Sequence, residues 1–154
     1  MKSKKDNNKT ISNSKTKQVS KTKKSIIDTY ETIYYVDIVV ANKYATLEEL
    51  KELYVYSDGV ELDEEIFAGD ATTSTCYRKS DNKAVILIKY NGKPNIKSLD
   101  AILTLINTVC HEAGHATINI YRHMNQDICP CSSEPFCYLL GYIAECIYKT
   151  IKKK

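Results

Sequence analysis

No apolar run in the chain approaches the length of a membrane-spanning helix. A membrane helix needs about 20 consecutive apolar residues, and aliphatic runs such as Ala84-Val85-Ile86-Leu87-Ile88 end long before that. No apolar block follows the first lysines, so no secretory signal is expected and the cytoplasm is the expected compartment. Tryptophan is absent, and histidine is scarce, with three in 154 residues. Most of the chain also lacks the positive charge of a nucleic-acid surface. The net charge is +3, but residues 1–24 hold nine lysines against one acid, Asp6; that local +8 leaves −5 for residues 25–154. The pI of 8.4 therefore reports the N-terminal tail and not the rest of the chain.

That tail is Lys, Ser, Thr and Asn with two aliphatics, Ile11 and Val19. It cannot bury enough apolar surface to offset the entropy of ordering, so residues 1–24 are expected to be disordered and capable of weak nucleic-acid contact at most. Residues 25–154 are expected to form one domain, because 43% apolar residues can support a single core. Without a signal, the six cysteines are expected as reduced thiols. A disulfide within Cys129-Pro130-Cys131 would be strained; with Cys137 nearby, the alternative is a structural thiolate site. Cys110 reads as a small core filler, and Gly114 and Gly141 as positions that allow close helix packing.

The pattern then alternates between strand and helix signals. Ile33–Val40 is β-branched and aromatic and reads as a strand. Thr46–Leu53 reads as a short helix with a capping box, Thr46 at the N-cap and Glu49 at N3. Residues 58–70 are acidic and read as a solvated loop, without the ligand spacing of a calcium site. Ala71–Tyr77 and Ala84–Tyr90 form a hairpin around a polar turn, and Asn91–Pro94 breaks the chain. A long helix follows over about 97–124, capped by Ser98 or Asn95. Its expected core face carries Leu99, Ile102, Leu103, Ile106, Val109, Cys110 and Ala113; the opposite side carries Thr104, Asn107, Thr108, His111 and His115. A second helix runs from Glu134 to about Thr150, with Pro135 in its first turn, where the missing N–H costs nothing.

The chemistry is concentrated in His111-Glu112-Ala113-Gly114-His115, an H-E-x-x-H. Residues four apart share a helix face, so the two imidazoles can meet one metal ion, and Glu112 can reach a water on it. A catalytic zinc takes three protein ligands and a water. Glu134, 19 positions after His115 and at the head of an antiparallel helix, is the candidate for the third. Glu145 is its rival, and His123 is expected to be a surface residue. Zinc would lower the pKa of its water, and Glu112 would act as general base and then acid.

His111-Glu112-x-x-His115 followed by Glu134 resembles the gluzincin branch of zinc metallopeptidases, the thermolysin-like layout. The stretch H-E-A-G-H-A-T-I-N-I-Y followed by S-E-P-F-C-Y-L-L-G-Y-I is also similar to small metallopeptidases encoded by bacteriophages. The resemblance covers about residues 84–148. It implies an α+β, minimal zincin-like domain: a small mixed sheet on the H-E-x-x-H helix, a second helix carrying the third ligand, and a peptide or protein substrate pairing with the strand nearest the cleft, taken as Ala84–Tyr90. Tyr138 or Tyr142 would be placed to stabilise the transition state. The competing expectation is a zinc-stabilised DNA- or protein-binding module that does no catalysis.

Overall fold

The computed structural model describes residues 23–93 and 96–153; the tail before Lys23, expected to be disordered, and the candidate cap Asn95 lie outside them. The domain is mixed α+β. Its five strands are β1 (Ile27–Tyr30), β2 (Asp37–Ala41), β3 (Tyr54–Tyr56), β4 (Ala71–Arg78) and β5 (Ala84–Tyr90). Its helices are α1 (Leu47–Leu53), α2 (Leu99–His123) and α3 (Ser133–Lys152), with single 3-10 turns at Glu64–Phe67 and Pro130–Ser132. The strands lie in the order β1-β2-β5-β4-β3. β2 and β5 run parallel; every other neighbouring pair is antiparallel. β5 is buried at all seven positions, as a strand covered on both faces must be, and it alternates between two cores. Ile86 and Ile88 face α2 and α3 with Val109, Ala113, Ile120, Ile143 and Ile147. Val85 and Leu87 face α1 and the first 3-10 turn with Leu50, Leu62 and Ile66.

Local signals place α1 and the start of α2 as expected. The Thr46 side chain accepts from Glu49 N while the Glu49 carboxylate accepts from Thr46 N, a complete capping box. Ser98 caps α2 by accepting from Ala101 N. The first strand signal is displaced. Residues 33–36 do not join the sheet, because the Thr32 hydroxyl donates to the Val36 carbonyl and accepts from Tyr34 N, closing a turn with Tyr35 at φ +61°. The strand β2 begins instead at Asp37, and β1 and β3 are short: β1 is interrupted by Asp28 and Thr29, and β3 spans three residues directly after α1.

The core face of α2 also differs from expectation. Leu99, Leu103 and Ile106 are 69%, 53% and 52% exposed, and Cys110 is exposed as well. The buried stripe is Leu105, Val109, Glu112, Ala113, Ala116, Thr117, Ile120 and Tyr121. Tyr121 stacks edge-on against Phe136, which sets the antiparallel register of α2 and α3. In that register the last residue of α3, Lys152, stands level with Leu105, so the turns carrying Leu99 and Leu103 project past its end. Nor are the helix glycines needed for packing: a Cβ built on Gly114 or Gly141 meets nothing within 4 Å.

Candidate functional site

The site is built where α2 passes under the β4 side of the sheet. His111 and His115 lie one helical turn apart, as their spacing dictates, and their Nε2 atoms are 3.0 Å from each other. The rings meet edge-on at 78° with centroids 4.6 Å apart, and both side chains are exposed. Two imidazole nitrogens on one tetrahedral zinc, at 2.0–2.1 Å each, would be about 3.3 Å apart. The observed separation is close to that, so the pair fits two ligands of such an ion. Among the described residues, no group of three or more His, Cys, Asp or Glu is gathered closely enough to hold a metal.

Glu112 lies one step round the helix, on the buried stripe. Its Oε2 accepts a 2.6 Å hydrogen bond from the Thr73 hydroxyl on β4. The hydroxyl's other contact, the Glu112 carbonyl, is longer at 3.4 Å, so its one proton serves the carboxylate. Thr73 thus fixes one carboxylate oxygen of Glu112, a residue that lines the cavity, and leaves the other oxygen without this bond. Sequence reasoning did not find this residue. Its only signal was a Thr-rich strand, and nothing in a strand's composition says which helix residue it will face.

A cavity of about 390 Å³ covers the motif, lined by His111, Glu112 and His115, by Ala71, Thr72, Thr73 and Ser74 of β4, and by Tyr56 and Glu65. Both faces of β4 contribute: Thr73 points to α2, whereas Thr72 points to the other side and donates to the Ile66 carbonyl. The cavity therefore wraps round an edge of β4. β3 pairs only with Cys76–Arg78, and the last bond on that edge is Ser57 N to the Thr75 carbonyl. By the two-residue repeat, the N–H and C=O groups of Thr73 and Ala71 point to the same edge, where no described strand pairs with them. β5, the strand expected to meet a substrate, cannot do so, because β2 and β4 occupy both of its edges.

Further toward the N-terminus of α2 the surface is hollowed again. A second hollow, of about 280 Å³, is lined by Thr104 and Thr108 with Asp70, Tyr90 and Lys93. Of the polar stripe seen in the sequence, Thr104 and Thr108 line this second hollow and His111 and His115 the first, at helical spacing, whereas Asn107 lines neither.

Other candidates lie elsewhere. Glu134 is exposed in the first turn of α3 and is not in the cavity lining. With Tyr121 over Phe136, it stands near the C-terminal end of α2, roughly 12 Å beyond His115 at 1.5 Å per residue. Glu145 is exposed and pairs with Lys149 at 2.7 Å, and His123 is exposed at the end of α2. Tyr138 is 77% exposed, and the Tyr142 hydroxyl donates to the Glu31 carbonyl, so neither lines the cavity. The phenol that does is Tyr56, which donates to Asp63 and is pushed up to about 12 by burial and by the Asp63 charge. It stays protonated, a donor, across any ordinary pH.

The cysteines form no metal cluster with the histidines. Cys129 and Cys131 are joined as a disulfide, contrary to the expectation of reduced thiols; the 3-10 turn at Pro130–Ser132 holds their Cα atoms 5.3 Å apart, within disulfide reach. Cys76 and Cys146 are buried, and Cys110 and Cys137 are exposed. No described helix is long and apolar enough to cross a membrane. Comparison with protein-family models, with curated proteins and with solved structures finds no match to this chain.

Proposed function

We propose that the chain is a zinc-dependent metallopeptidase on a minimal zincin-like plan. His111 and His115 hold the metal, Glu112 is the general base, and an extended peptide substrate adds to the open edge of β4. The observation that carries this reading is that one cavity contains all three polar side chains of the motif and the unpaired edge of a strand. An edge strand recognises main chain, through N–H and C=O groups, and main chain is what a peptidase must hold.

Zinc, when bound, supplies a Lewis acid and a water of lowered pKa. The remaining work belongs to the chain. Ala71 and Thr73 offer hydrogen bonds to the peptide and set its distance from the histidines. Thr73 holds Glu112 Oε2, and Glu112 Oε1 takes a proton from the attacking water. As the tetrahedral carbon collapses and the C–N bond breaks, the same oxygen returns that proton to the leaving amine. The resemblance names Glu134 as the third ligand, but α3 as it lies sets that residue roughly 12 Å beyond His115, so the reading rests on the histidine pair; zinc content lowered by Glu134→Ala would add Glu134 to the site, and unchanged content would remove it.

The test of the reading is Glu112→Gln. Zinc is retained and cleavage of a mixed peptide library falls at least ~100-fold, the usual size of a lost general base. Undiminished cleavage would overturn the mechanism. The alternative, a non-catalytic zinc-stabilised binding module, requires that the unaltered protein bind zinc and cleave nothing. It also requires salt-dependent DNA or protein binding that is lost without residues 1–24.

A further inference from the structure

The side of the cavity away from the histidines has a character of its own. A strand added to β4 continues its alternation, because residues opposite each other in a sheet point to the same face. A substrate side chain beside Thr73 would face α2 and the histidines. Its chain neighbours, beside Thr72 and Ser74, would face the other way, into the part of the cavity formed by Tyr56 and Glu65. That part offers an aromatic ring and one carboxylate. Glu65 is held at the cavity by its turn: Glu65 N donates to the Asp63 side chain, and the Glu65 carbonyl accepts from Ala68 N. Its carboxylate pairs with no described cation: Lys79 is engaged by Glu61 at 2.7 Å, and Lys89, whose ammonium lies 4.7 Å over the ring of Phe67 in the same turn, bonds to the Asn42 carbonyl and Asn91 Oδ1. The segment around it adds Asp63 and Glu64, so the local field is negative.

We propose that Glu65 is a specificity-determining residue of this site, selecting peptides with Lys or Arg at the position next to the bond presented to the histidines. Tyr56 supplies the wall along which the aliphatic stem of such a side chain lies, with the cationic head reaching Glu65. An acidic side chain in the same place meets like charge. The inference rests on the peptide-edge reading above and names the substrate class for it.

The experiment measures binding separately from cleavage. Zinc-loaded full-length Glu112→Gln protein is titrated with fluorescent peptides that differ at one position, Lys, Arg, Leu or Glu in an otherwise alanine sequence. Lys and Arg peptides are expected to bind about 5-fold tighter than Leu, the upper end for an exposed ion pair, and the margin narrows as salt rises. Adding Glu65→Gln should remove the preference, and Glu65→Lys should transfer it to the Glu peptide. A Lys preference unchanged by Glu65→Gln, or tightest binding of Leu, would overturn the proposal. Loss of zinc in Glu65→Gln would overturn it too, by making Glu65 a ligand. Charge-selective, Glu65-dependent binding by a protein that cleaves nothing would uphold this inference and refute the peptidase. Cleavage without any Glu65 dependence would do the reverse, and failure to bind the Lys and Arg peptides would refute this inference, leaving the peptidase to be decided by library cleavage with the unaltered protein.

Discussion

Replacing Thr73 with valine keeps the branch of the side chain and exchanges the hydroxyl, with its one donatable proton, for a methyl. In the structure that proton sits on a 2.6 Å bond to the carboxylate of Glu112, a residue only 6% exposed. A hydrogen bond to a charged group is worth about 1.5–3 kcal/mol, and its loss leaves a nearly buried carboxylate short of a donor. Thr73→Val should therefore destabilise the domain by about 2 kcal/mol, or roughly 8 °C in Tm for a domain of this size. Thr73→Ser, which keeps the hydroxyl, should restore most of it. The assay is urea unfolding of the full chain followed by circular dichroism, on Thr73→Val, Glu112→Leu and the double variant. If the two groups act through each other, Thr73→Val costs far less in the Glu112→Leu background, and the coupling energy is about 2 kcal/mol. Equal costs in both backgrounds would refute the assignment of Thr73 as the group that orients the base. Cleavage by Thr73→Val should fall as well, with Thr73→Ser close to the unaltered protein.

Three further outcomes follow from charge and packing. Burial pushes the Lys89 ammonium down to about 8 from its ordinary 10.5, despite bonds to the Asn42 carbonyl and Asn91 Oδ1. Between pH 8 and 10.5 the unfolded chain binds the extra proton, so the Lys89 contribution to stability should rise through that window by about 3 kcal/mol and vanish in Lys89→Met, as pH-dependent urea midpoints would show. Asp37 is nearly fully buried; burial raises its pKa, but hydrogen bonds from Lys83 and Arg78 outweigh this and hold it below its ordinary 3.8. Its stabilisation is thus present above that value and lost as pH falls through the lower folded pKa. Asp37→Asn should cost about 2 kcal/mol at neutral pH, and the deficit should shrink in acid unfolding. Gly114→Ala and Gly141→Ala should each raise stability by about 0.5–1 kcal/mol, since both sit within helices with open space at the Cβ; a fall in Tm would show that those spaces are occupied in solution.

The parts of this fold that were legible in the sequence are those fixed by neighbours along the chain. The capping box of α1, the cap at Ser98, the hairpin of β4 and β5, and the meeting of His111 with His115 all depend on spacings of three or four residues or on short periodic runs. What could not be read depends on partners distant in sequence. Thr73 and Glu112 are 39 positions apart, and the free edge of β4 exists because β3 ends at Tyr56. The apolar side of early α2 looked like a core face because periodicity records amphipathicity without saying where the neighbouring helix stops. The turn at Tyr35 escaped notice because a single threonine hydroxyl overrode a β-branched run.

The central claim is that this cavity hydrolyses peptides by means of a metal on the histidine pair. The most direct measurement is cleavage of a mixed peptide library by the full-length protein, first stripped with a chelator and then reloaded with zinc in increments. The stripped protein should cleave nothing, and recovery should saturate at one zinc per chain, with neither bound zinc nor recovered cleavage in the variant carrying His111→Ala and His115→Ala. Cleavage that persists without metal, or a one-to-one zinc complex that cleaves nothing, would contradict that claim.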